Sequence, residues 1–324
     1  KLGGELFDEA FGEQALTRVA QAVRRAAAKP MSVTHAGAGS ALVEKVASSR
    51  RVLGANGRIE FARMSSCRNE AARAAPEGMI DPNLRLITFW QGERPLAALS
   101  YYATHPQSYY GKGGVSADFV GMARAMREAA LPNVAHIHFN GPSGNVAAGK
   151  YNDGAPENRP VLAARLAAGM QRAWDATRRF PVTAADLRWV TTPVTLPSRV
   201  PAESALLADL DNTALKLTAR LRSARDLAWL ERLRAAGPIQ LSMLRLGKLR
   251  VLHMPGELFV EYQLAAQKMR PADFVAMAAY GDLGPGYIGT AIAYTQGGYE
   301  TGPVSRVAAG VESVLMSGMR QLLK

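Results

Sequence analysis

Apolar and polar positions along the chain repeat with two periods, one typical of helices and one typical of strands. Residues 8–29 have apolar side chains at helical spacing, with acidic residues early and basic residues late, an order that the helix dipole favours. The remaining helices predicted from the sequence lie at 118–130, 159–178, 203–236 (two helices), 258–268 and from 304 onward.

Short apolar runs bounded by turn residues predict the strands. The turn GER separates the runs LRLITFWQ and PLAALSYYATH, which predicts a β-hairpin or two adjacent strands. The other predicted strands lie at 31–36, 133–141, 186–196, 239–247, 249–257 and 273–281. Alternating strands and helices with hairpins between them predict an α/β protein, with a mixed β-sheet flanked by helices on both faces. Because no repeat or low-complexity segment interrupts this order, we predict one domain over residues 1–324.

Composition agrees with a large folded protein. Of the 324 residues, 48% are hydrophobic and 20% charged, which is enough to bury a sizeable core. Cys67 is the single cysteine, so no internal disulfide can form. No apolar run reaches the roughly 18 residues of a membrane span. The formal net charge of +12 is spread as arginines among alanine-rich helices, without a nucleic-acid-binding motif, so we expect no nucleic-acid partner.

Polar residues gather where the predicted strands end. His105 ends one strand, the loop FNGPSGNVAAGKYNDG follows a second, HMPGE ends a third, and a Gly/Tyr-rich loop at 282–302 follows a fourth. Ligands of open α/β sheets bind beyond strand ends. Each signal also has a structural explanation: the histidine can be simply hydrogen-bonded, the glutamate can lie in the first turn of the next helix, and the tyrosines can pack. Taken singly, none of them decides the function.

Taken together, these segments resemble the catalytic domain of the neutral/alkaline ceramidases, zinc-dependent amidases that release a fatty acid from N-acylsphingosine. ATHPQS at 103–108 is similar to the family's NxxAxHxTS, and SADFVG at 116–121 stands where the family has SGDNKG. PGE at 255–257 matches a family motif, and GY at 286–287 and YE at 299–300 have the family's separation. The resemblance runs from about residue 10 to the C-terminus.

This resemblance implies a site and a reaction. His105, Glu257 and Tyr287 would be ligands of a zinc ion. Tyr299 would stabilise the tetrahedral intermediate, and Arg50, in a segment similar to the family's NRSP, would lie near the oxyanion. Nitrogen and oxygen donors suit a catalytic zinc with an open position, which activates water toward an amide carbonyl. The resemblance therefore implies a zinc-dependent amidohydrolase acting on an N-acyl amide, ceramide-like or other.

The loop at 140–148 departs from the family pattern NxGDxSPN. It keeps the Gly-Asn pair that ends at Asn145, but Ala147 stands where the family has a serine discussed as a nucleophile or as a substrate-orienting group. Ser143 lies four residues earlier and is the other candidate in this loop, together with Asn145. The replacement favours attack by metal-activated water. We therefore expect an activity that chelators abolish and that serine-directed acylating reagents leave intact.

The family's other zinc histidine, in an HTHSGPG segment, has no counterpart in this chain. We expect a second polypeptide segment to supply it, with His35 and His253 as the alternatives within the chain. The family's N-terminal segment and its C-terminal immunoglobulin-like domain are likewise expected to be missing here. The family is commonly exported, which implies an extracytoplasmic location.

A function of another class also stays open. A metal-free relative that binds a ligand without catalysis would equally lack the upstream histidine and the serine at position 147. Stoichiometric zinc in the purified protein would favour the enzyme, and its absence would favour the binding protein.

Overall fold

The computed structural model describes residues 8–111, 114–282 and 284–324. The chain divides into two compact units, one comprising Lys1–Val33 with Val200–Ala235 and the other Thr34–Arg199 with Ala236–Lys324. The residues predicted for the site all belong to the larger unit. That the whole chain acts as one catalytic domain stays a prediction.

The helices of the described residues are α1 (Glu9–Ala27), α2 (Glu70–Ala74), α3 (Asp118–Ala130), α4 (Asn158–Asp175), α5 (Glu203–Asp211), α6 (Leu217–Ala236), α7 (Val260–Met269), α8 (Ala291–Gln296) and α9 (Val311–Leu322). The strands are β1 (His35–Leu42), β2 (Ser48–Ser49), β3 (Arg51–Leu53), β4 (Ile59–Ala62), β5 (Asn83–Gln91), β6 (Arg94–Tyr102), β7 (Ala135–Asn140), β8 (Val146–Ala147), β9 (Arg178–Pro181), β10 (Leu187–Val194), β11 (Ile239–Leu246), β12 (Leu249–Pro255), β13 (Glu257–Leu258), β14 (Phe274–Gly281) and β15 (Tyr287–Ile288).

The first large sheet has the strand order β7-β6-β5-β1-β9. Neighbouring strands are antiparallel except β6 and β7, which run parallel. One face of this sheet packs against α3 and α4. The core there includes Leu84, Leu86, Phe119, Leu162 and Leu166, none more than 2% exposed. Burial of each such side chain contributes about 1.5–3 kcal/mol, so this face holds helices and sheet together.

The second large sheet has the strand order β10-β11-β12-β14, with β12 and β14 parallel. One of its faces packs on the first sheet, where Ile87 and Tyr101 meet Val251 and Ala276. Its other face meets α7 and α9, and Gly318 of α9 lies close to side chains of β10 and β11. The larger unit is therefore layered as helices, sheet, sheet and helices.

This architecture confirms the predicted α/β class, with mixed sheets and flanking helices. The strands are divided between two large sheets because each sheet has an apolar face that is buried against the other. The chain passes from the first sheet to the second between β9 and β10, through one turn of 3-10 helix at Ala184–Asp186.

Several predicted boundaries differ from the structure. The strand predicted at 31–36 lies later, as β1, because pairing with β5 and β9 fixes its position. The helix predicted at 159–178 ends at Asp175, and the residues after it form the edge strand β9. The last helix begins at Val311, and the predicted loop at 282–302 contains β15 and α8. These elements are short or depend on distant partners, which a local pattern does not show.

In the smaller unit, α5 and α6 are joined by polar contacts. Ser223 donates a hydrogen bond to Asp209 at 2.8 Å, and Arg220 donates to the carbonyl oxygen of Leu210 at 2.7 Å. Helix α1 begins after Asp8, whose side chain accepts from the backbone N–H of Phe11. Among the described residues, every helix is too short or too polar to cross a membrane.

Candidate functional site

His105 lies shortly after β6 and is held by the loop that follows β7. Its backbone N–H donates to the carbonyl oxygen of Val146 at 3.0 Å. Its ring Nδ1 lies 2.7 Å from the carbonyl oxygen of Ser143 and 3.1 Å from that of Val146. Because carbonyls only accept hydrogen bonds, Nδ1 carries a proton, and in the neutral ring Nε2 then presents its lone pair. This is the tautomer of a histidine that ligates a metal through Nε2.

Glu257 and Tyr287 are neighbours across a short parallel strand pair. They stand in register in β13 and β15, and the backbone N–H of Glu257 donates to the carbonyl oxygen of Gly286 at 2.8 Å. Gly256, which precedes the glutamate, has φ 61°, and a side chain there would clash with the same carbonyl. Glycine adopts such a turn without a steric penalty. The Pro-Gly pair therefore turns the chain from β12 into β13 and directs the glutamate to the tyrosine.

The three predicted donors meet at one point. His105 Nε2 lies 3.2 Å from Glu257 Oε2 and 3.2 Å from the Tyr287 hydroxyl oxygen. A nitrogen lone pair and a carboxylate oxygen at this distance repel each other unless a proton or a cation lies between them. One nitrogen and two oxygen donors suit zinc, and three protein donors leave a fourth position for solvent. The residues present therefore fit such an ion.

Tyr287 is the third donor that the described residues offer. Across the ranges that the structure describes, no three His, Cys, Asp or Glu side chains come together as a metal site would require. A cation held by His105 and Glu257 would therefore depend on the Tyr287 oxygen or on a ligand from outside the described residues.

Arg50 contacts the same atoms. Its Nη1 lies 3.3 Å from His105 Nε2 and donates to the Tyr287 hydroxyl at 3.2 Å. Its Nε lies 3.1 Å from Glu300 Oε1, and the other oxygen of this carboxylate binds Arg51 at 3.0 Å. Arg50 and Glu300 are each 3% exposed. Because a buried charge without its partner is costly, Glu300 fixes the orientation of both arginines.

The two predicted tyrosines differ in exposure. Burial raises the pKa of Tyr287 above its ordinary value, and the guanidinium of Arg50 opposes this effect. Tyr299 stands with its ring edge-on to Tyr287, with the ring centroids 5.5 Å apart, and it is 50% exposed. Solvent therefore reaches Tyr299 directly beside the buried Tyr287.

Asn145 links the loop to the start of α7. Its Nδ2 donates to Glu261 Oε2 at 2.8 Å, and its Oδ1 accepts from the backbone N–H of Val260 at 2.9 Å. The residue is only 1% exposed. The geometry thus gives Asn145 a positioning role, and the catalytic role assigned to it from the sequence stays a prediction.

Ser143 lies next to the donors, whereas Ala147 is in a strand. The backbone oxygen of Ser143 holds the ring of His105, and its Oγ lies 2.7 Å from the Tyr280 hydroxyl oxygen. Ala147 is fully buried in β8, and its carbonyl oxygen accepts from Ser48. Position 147 therefore offers no nucleophile. Ser143 carries the hydroxyl of this loop, and its backbone oxygen contacts the donor His105.

Tyr280 was not found from the sequence. It has φ 69°, a conformation that is unfavourable for a bulky side chain and that is often found at functional sites. Its ring stands edge-on to His105 at 6.3 Å, and its backbone N–H donates to the carbonyl oxygen of Gly256 at 2.9 Å. Burial raises the pKa of its phenol. The available signal was a tyrosine at the end of a predicted strand, which is too common a pattern to single out.

His35 and His253 lie in other surroundings. His35 is bonded through Nδ1 to the Thr34 hydroxyl at 2.9 Å. His253 packs against Trp189 in a tilted arrangement, with 5.1 Å between the ring centroids, and its buried Nδ1 has no hydrogen-bond partner among the described residues. Within the described part of the chain, no hydrogen bond or ring contact joins either histidine to the three donors.

The larger unit thus belongs to the α/β class, with a histidine, a glutamate and a tyrosine meeting beyond its strands. Among solved structures, the chain is similar to neutral ceramidase from Pseudomonas aeruginosa, with a TM-score of 0.63 and 14% identity, over 94% of this chain and 54% of that one. A structure titled as a ceramidase complexed with C2 is similar over 90% of this chain and 53% of that one, with a TM-score of 0.61 and 14% identity.

The chain therefore has a ceramidase-like fold and spans about half the length of the ceramidases that it matches. No protein-family model and no curated protein sequence matches it. At this level of identity the similarity establishes the fold, and the chemistry has to be argued from the site.

Proposed function

We propose that the chain is the catalytic part of a zinc-dependent amidohydrolase that cleaves an N-acyl amide, ceramide-like or other. The observation that supports this most directly is the meeting of His105 Nε2 with the oxygens of Glu257 and Tyr287 at 3.2 Å. The tautomer of the histidine and the ceramidase-like fold support it as well.

In this proposal, His105, Glu257 and Tyr287 hold the zinc ion. Zinc would supply Lewis-acid polarisation of the amide carbonyl and activation of a water molecule. Arg50 donates a hydrogen bond to the carbonyl oxygen as it becomes negative, which is the charge that a fixed guanidinium stabilises best. Tyr299 donates to the same oxygen from the exposed side of the site. The absence of a hydroxyl at position 147 favours water as the nucleophile.

A second polypeptide segment that supplies a further histidine is part of the proposal. Two of the three donors are oxygens, and the phenol of Tyr287 has to lose its proton to bind zinc tightly although burial raises its pKa. An additional imidazole would strengthen the site. The ceramidases of similar fold are about twice as long as the matched part.

One observation favours a metal-free ligand-binding protein as the second candidate. Arg50 Nη1 lies within hydrogen-bonding distance of both His105 Nε2 and the Tyr287 oxygen. The guanidinium can therefore satisfy these two atoms in the absence of an ion. A ligand with a carbonyl or carboxylate oxygen would then bind at Arg50 without being cleaved.

Zinc content and amide hydrolysis, measured on the same preparations, test the proposal. We expect about one zinc per chain by plasma mass spectrometry, and hydrolysis of N-acyl amides that a chelator abolishes and zinc restores. His105→Ala should lose both zinc and activity while keeping its circular dichroism spectrum. His35→Ala is the matched control and should keep both. Zinc retained by His105→Ala would contradict the assigned ligands, and an intact protein without zinc or hydrolysis would favour the binding protein.

A further inference from the structure

Met64 places a thioether sulfur against the arginine of the candidate site. Its Sδ accepts a hydrogen bond from Arg50 Nη2 at 2.9 Å. The other two nitrogens of this guanidinium have stronger acceptors. Nη1 donates to the Gly144 carbonyl oxygen and to the Tyr287 hydroxyl, and Nε lies 3.1 Å from Glu300 Oε1. Because a thioether is a weak acceptor, Nη2 is the least firmly held nitrogen of the group.

Met64 lies at the border between this guanidinium and the solvent. It comes two residues after the end of β4 and is partly exposed, and Ser66 beyond it is exposed. Arg50, in contrast, is only 3% exposed. A small reagent that acts on the thioether would therefore change the surroundings of the arginine without entering the buried site.

Oxidation replaces the weak acceptor by a strong one. The sulfur lone pair attacks one oxygen of hydrogen peroxide, and the O–O bond breaks. The proton left on the new S–O group joins the departing hydroxide, so the products are methionine sulfoxide and water. Sulfur loses two electrons and the peroxide gains them. The sulfoxide oxygen carries a large negative partial charge, and hydrogen bonds from a charged donor to such an oxygen are strong.

The new oxygen cannot be added without a movement of the arginine or of the methionine. Nη2 and Sδ are only 2.9 Å apart, so no atom fits between them. Nη1 of the same group lies 3.3 Å from His105 Nε2 and 3.2 Å from the Tyr287 hydroxyl oxygen. Because the guanidinium is planar and rigid, a shift of Nη2 toward a new partner also moves Nη1 away from these two atoms.

We propose that Met64 is a modification site, at which oxidation by a peroxide to the sulfoxide displaces Arg50 from His105 and Tyr287. Methionine sulfoxide reductases would reverse the change. The oxidation and the displacement do not depend on zinc or on amide hydrolysis. A loss of hydrolysis on oxidation is a consequence that rests on the proposed function, in which Arg50 donates to the developing oxyanion.

Peptide mapping and heteronuclear NMR of the intact chain, treated with dilute hydrogen peroxide, test the modification. Because the chain has 12 methionines, mass spectrometry has to assign the added oxygen to each peptide separately. We expect Met64 to gain one oxygen, and the Nε–H signal of Arg50, identified by its loss in Arg50→Lys, to shift in proportion. Met64 left unaltered while Met79, which is 53% exposed, is oxidised would overturn the proposal. An unchanged Arg50 signal after oxidation of Met64 would also overturn it.

Three variants assign the effect to one sulfur. Met64→Leu removes the thioether, so peroxide should leave its Arg50 signal in place. Met64→Gln provides an amide oxygen instead of the sulfoxide oxygen and should show the shifted signal without peroxide. Met122→Leu is the matched control, because Met122 is also partly buried but packs against an apolar core, and it should respond to peroxide as the unaltered chain does. An equal shift in peroxide-treated Met64→Leu would refute the assignment.

Amide hydrolysis, where it is present, gives a second readout. Oxidation should lower kcat about 100-fold, the loss typical of removing one donor to an oxyanion, with little change in KM. Met122→Leu should lose activity in the same way, whereas Met64→Leu should keep the kcat of its own untreated form. Full kcat with Met64 oxidised would contradict the proposal. Absence of hydrolysis from every untreated preparation would count against the proposed function alone, because the mapping and the Arg50 signal are still measured.

Discussion

Single atoms decide which side chains of this site remain available for chemistry. The Nδ1 of His105 is occupied by backbone carbonyls, so its Nε2 is directed to Glu257 and Tyr287. Asn145 uses both of its polar atoms to hold the start of α7. Tyr280 has an unfavourable backbone conformation, and in this conformation its hydroxyl contacts that of Ser143. The conformation of a single residue thus contributes directly to the site.

Tyr280→Phe tests whether this hydroxyl positions Ser143. The variant removes one buried hydrogen bond, so we expect the free energy of unfolding to fall by about 1 kcal/mol. If the proposed amidase activity is present, kcat should fall while KM changes little, because the contact orders groups at the reacting centre. Urea unfolding and steady-state kinetics give the two quantities.

The matched control is Tyr294→Phe. This tyrosine also has its hydroxyl next to a serine hydroxyl, that of Ser305, at 3.1 Å. A similar loss of stability is expected, with kcat preserved. Equal loss of kcat in the two variants would show that Tyr280 acts only through stability.

Short elements at the ends of longer strands bring the site together. The donors Glu257 and Tyr287 belong to strands of two residues each, β13 and β15. The loop that holds His105 pairs through β8 with β2, next to Arg50. Gly144 lies between these elements, and its backbone N–H donates to the carbonyl oxygen of Leu258 at 2.7 Å. The loop and the glutamate strand can approach this closely only because no side chain separates them.

Gly144→Ala should push these two elements apart. A Cβ atom at this position would lie far inside van der Waals distance of the Glu257 carbonyl oxygen, which is backbone and cannot rotate away. We expect a loss of about 1–3 kcal/mol in stability and weaker zinc binding, measured by thermal unfolding and metal titration.

Gly114→Ala provides the comparison, since no described residue other than its chain neighbours has an atom within 4 Å of a Cβ atom added there. Its stability should stay within about 0.5 kcal/mol of the unaltered chain. Unaltered zinc binding by Gly144→Ala would show that the approach of the loop is not needed for the site.

Packing between layers governs the stability of the larger unit and includes buried titratable groups. His136 and His138 lie on β7, and each has a buried Nε2 for which the described part of the chain supplies no hydrogen-bond partner. Burial lowers the pKa of His138 to about 4, and Arg124 adds to the effect. Burial also lowers the pKa of His136. Protonation would place a charge on a buried nitrogen, so the folded state disfavours it.

The stability of the protein should therefore depend on pH through His138. Between pH 6.5 and about 4, the unfolded chain binds a proton at this position and the folded chain does not. The contribution of His138 to stability is complete above pH 6.5 and is lost as the pH falls toward 4, by an amount on the order of 3 kcal/mol. His138→Gln should flatten the fall in the free energy of unfolding across this window, measured in urea at several pH values.

His35→Gln is the control, because its ring is only partly buried and bonded to the Thr34 hydroxyl. Its curve gives the effect of replacing a histidine on another strand of the same sheet. A His138→Gln curve parallel to that of the unaltered chain between pH 6.5 and 4 would contradict the prediction.

Local pattern was sufficient for most of the elements, whereas the three donors are implied by the resemblance to the ceramidases. Helix α3 has the bounds predicted from its spacing, and β5 with β6 forms the predicted hairpin, because periodicity and turn residues act between near neighbours. His105, Glu257 and Tyr287 form a predicted group because the segments that carry them resemble ceramidase motifs in the same order. Their meeting within 3.2 Å agrees with that expectation, although their role as ligands stays a prediction.

Tertiary structure alone decided the division of the strands into two sheets, the pairing of β13 with β15 and the orientation of Tyr280. Each depends on contacts between residues far apart in the chain. The ion pair of Arg50 with Glu300 joins positions 250 residues apart by number, and a cavity beside Glu261 is lined by residues from 49 to 296. No local propensity specifies such contacts, because they form only when the packed layers bring the loops together.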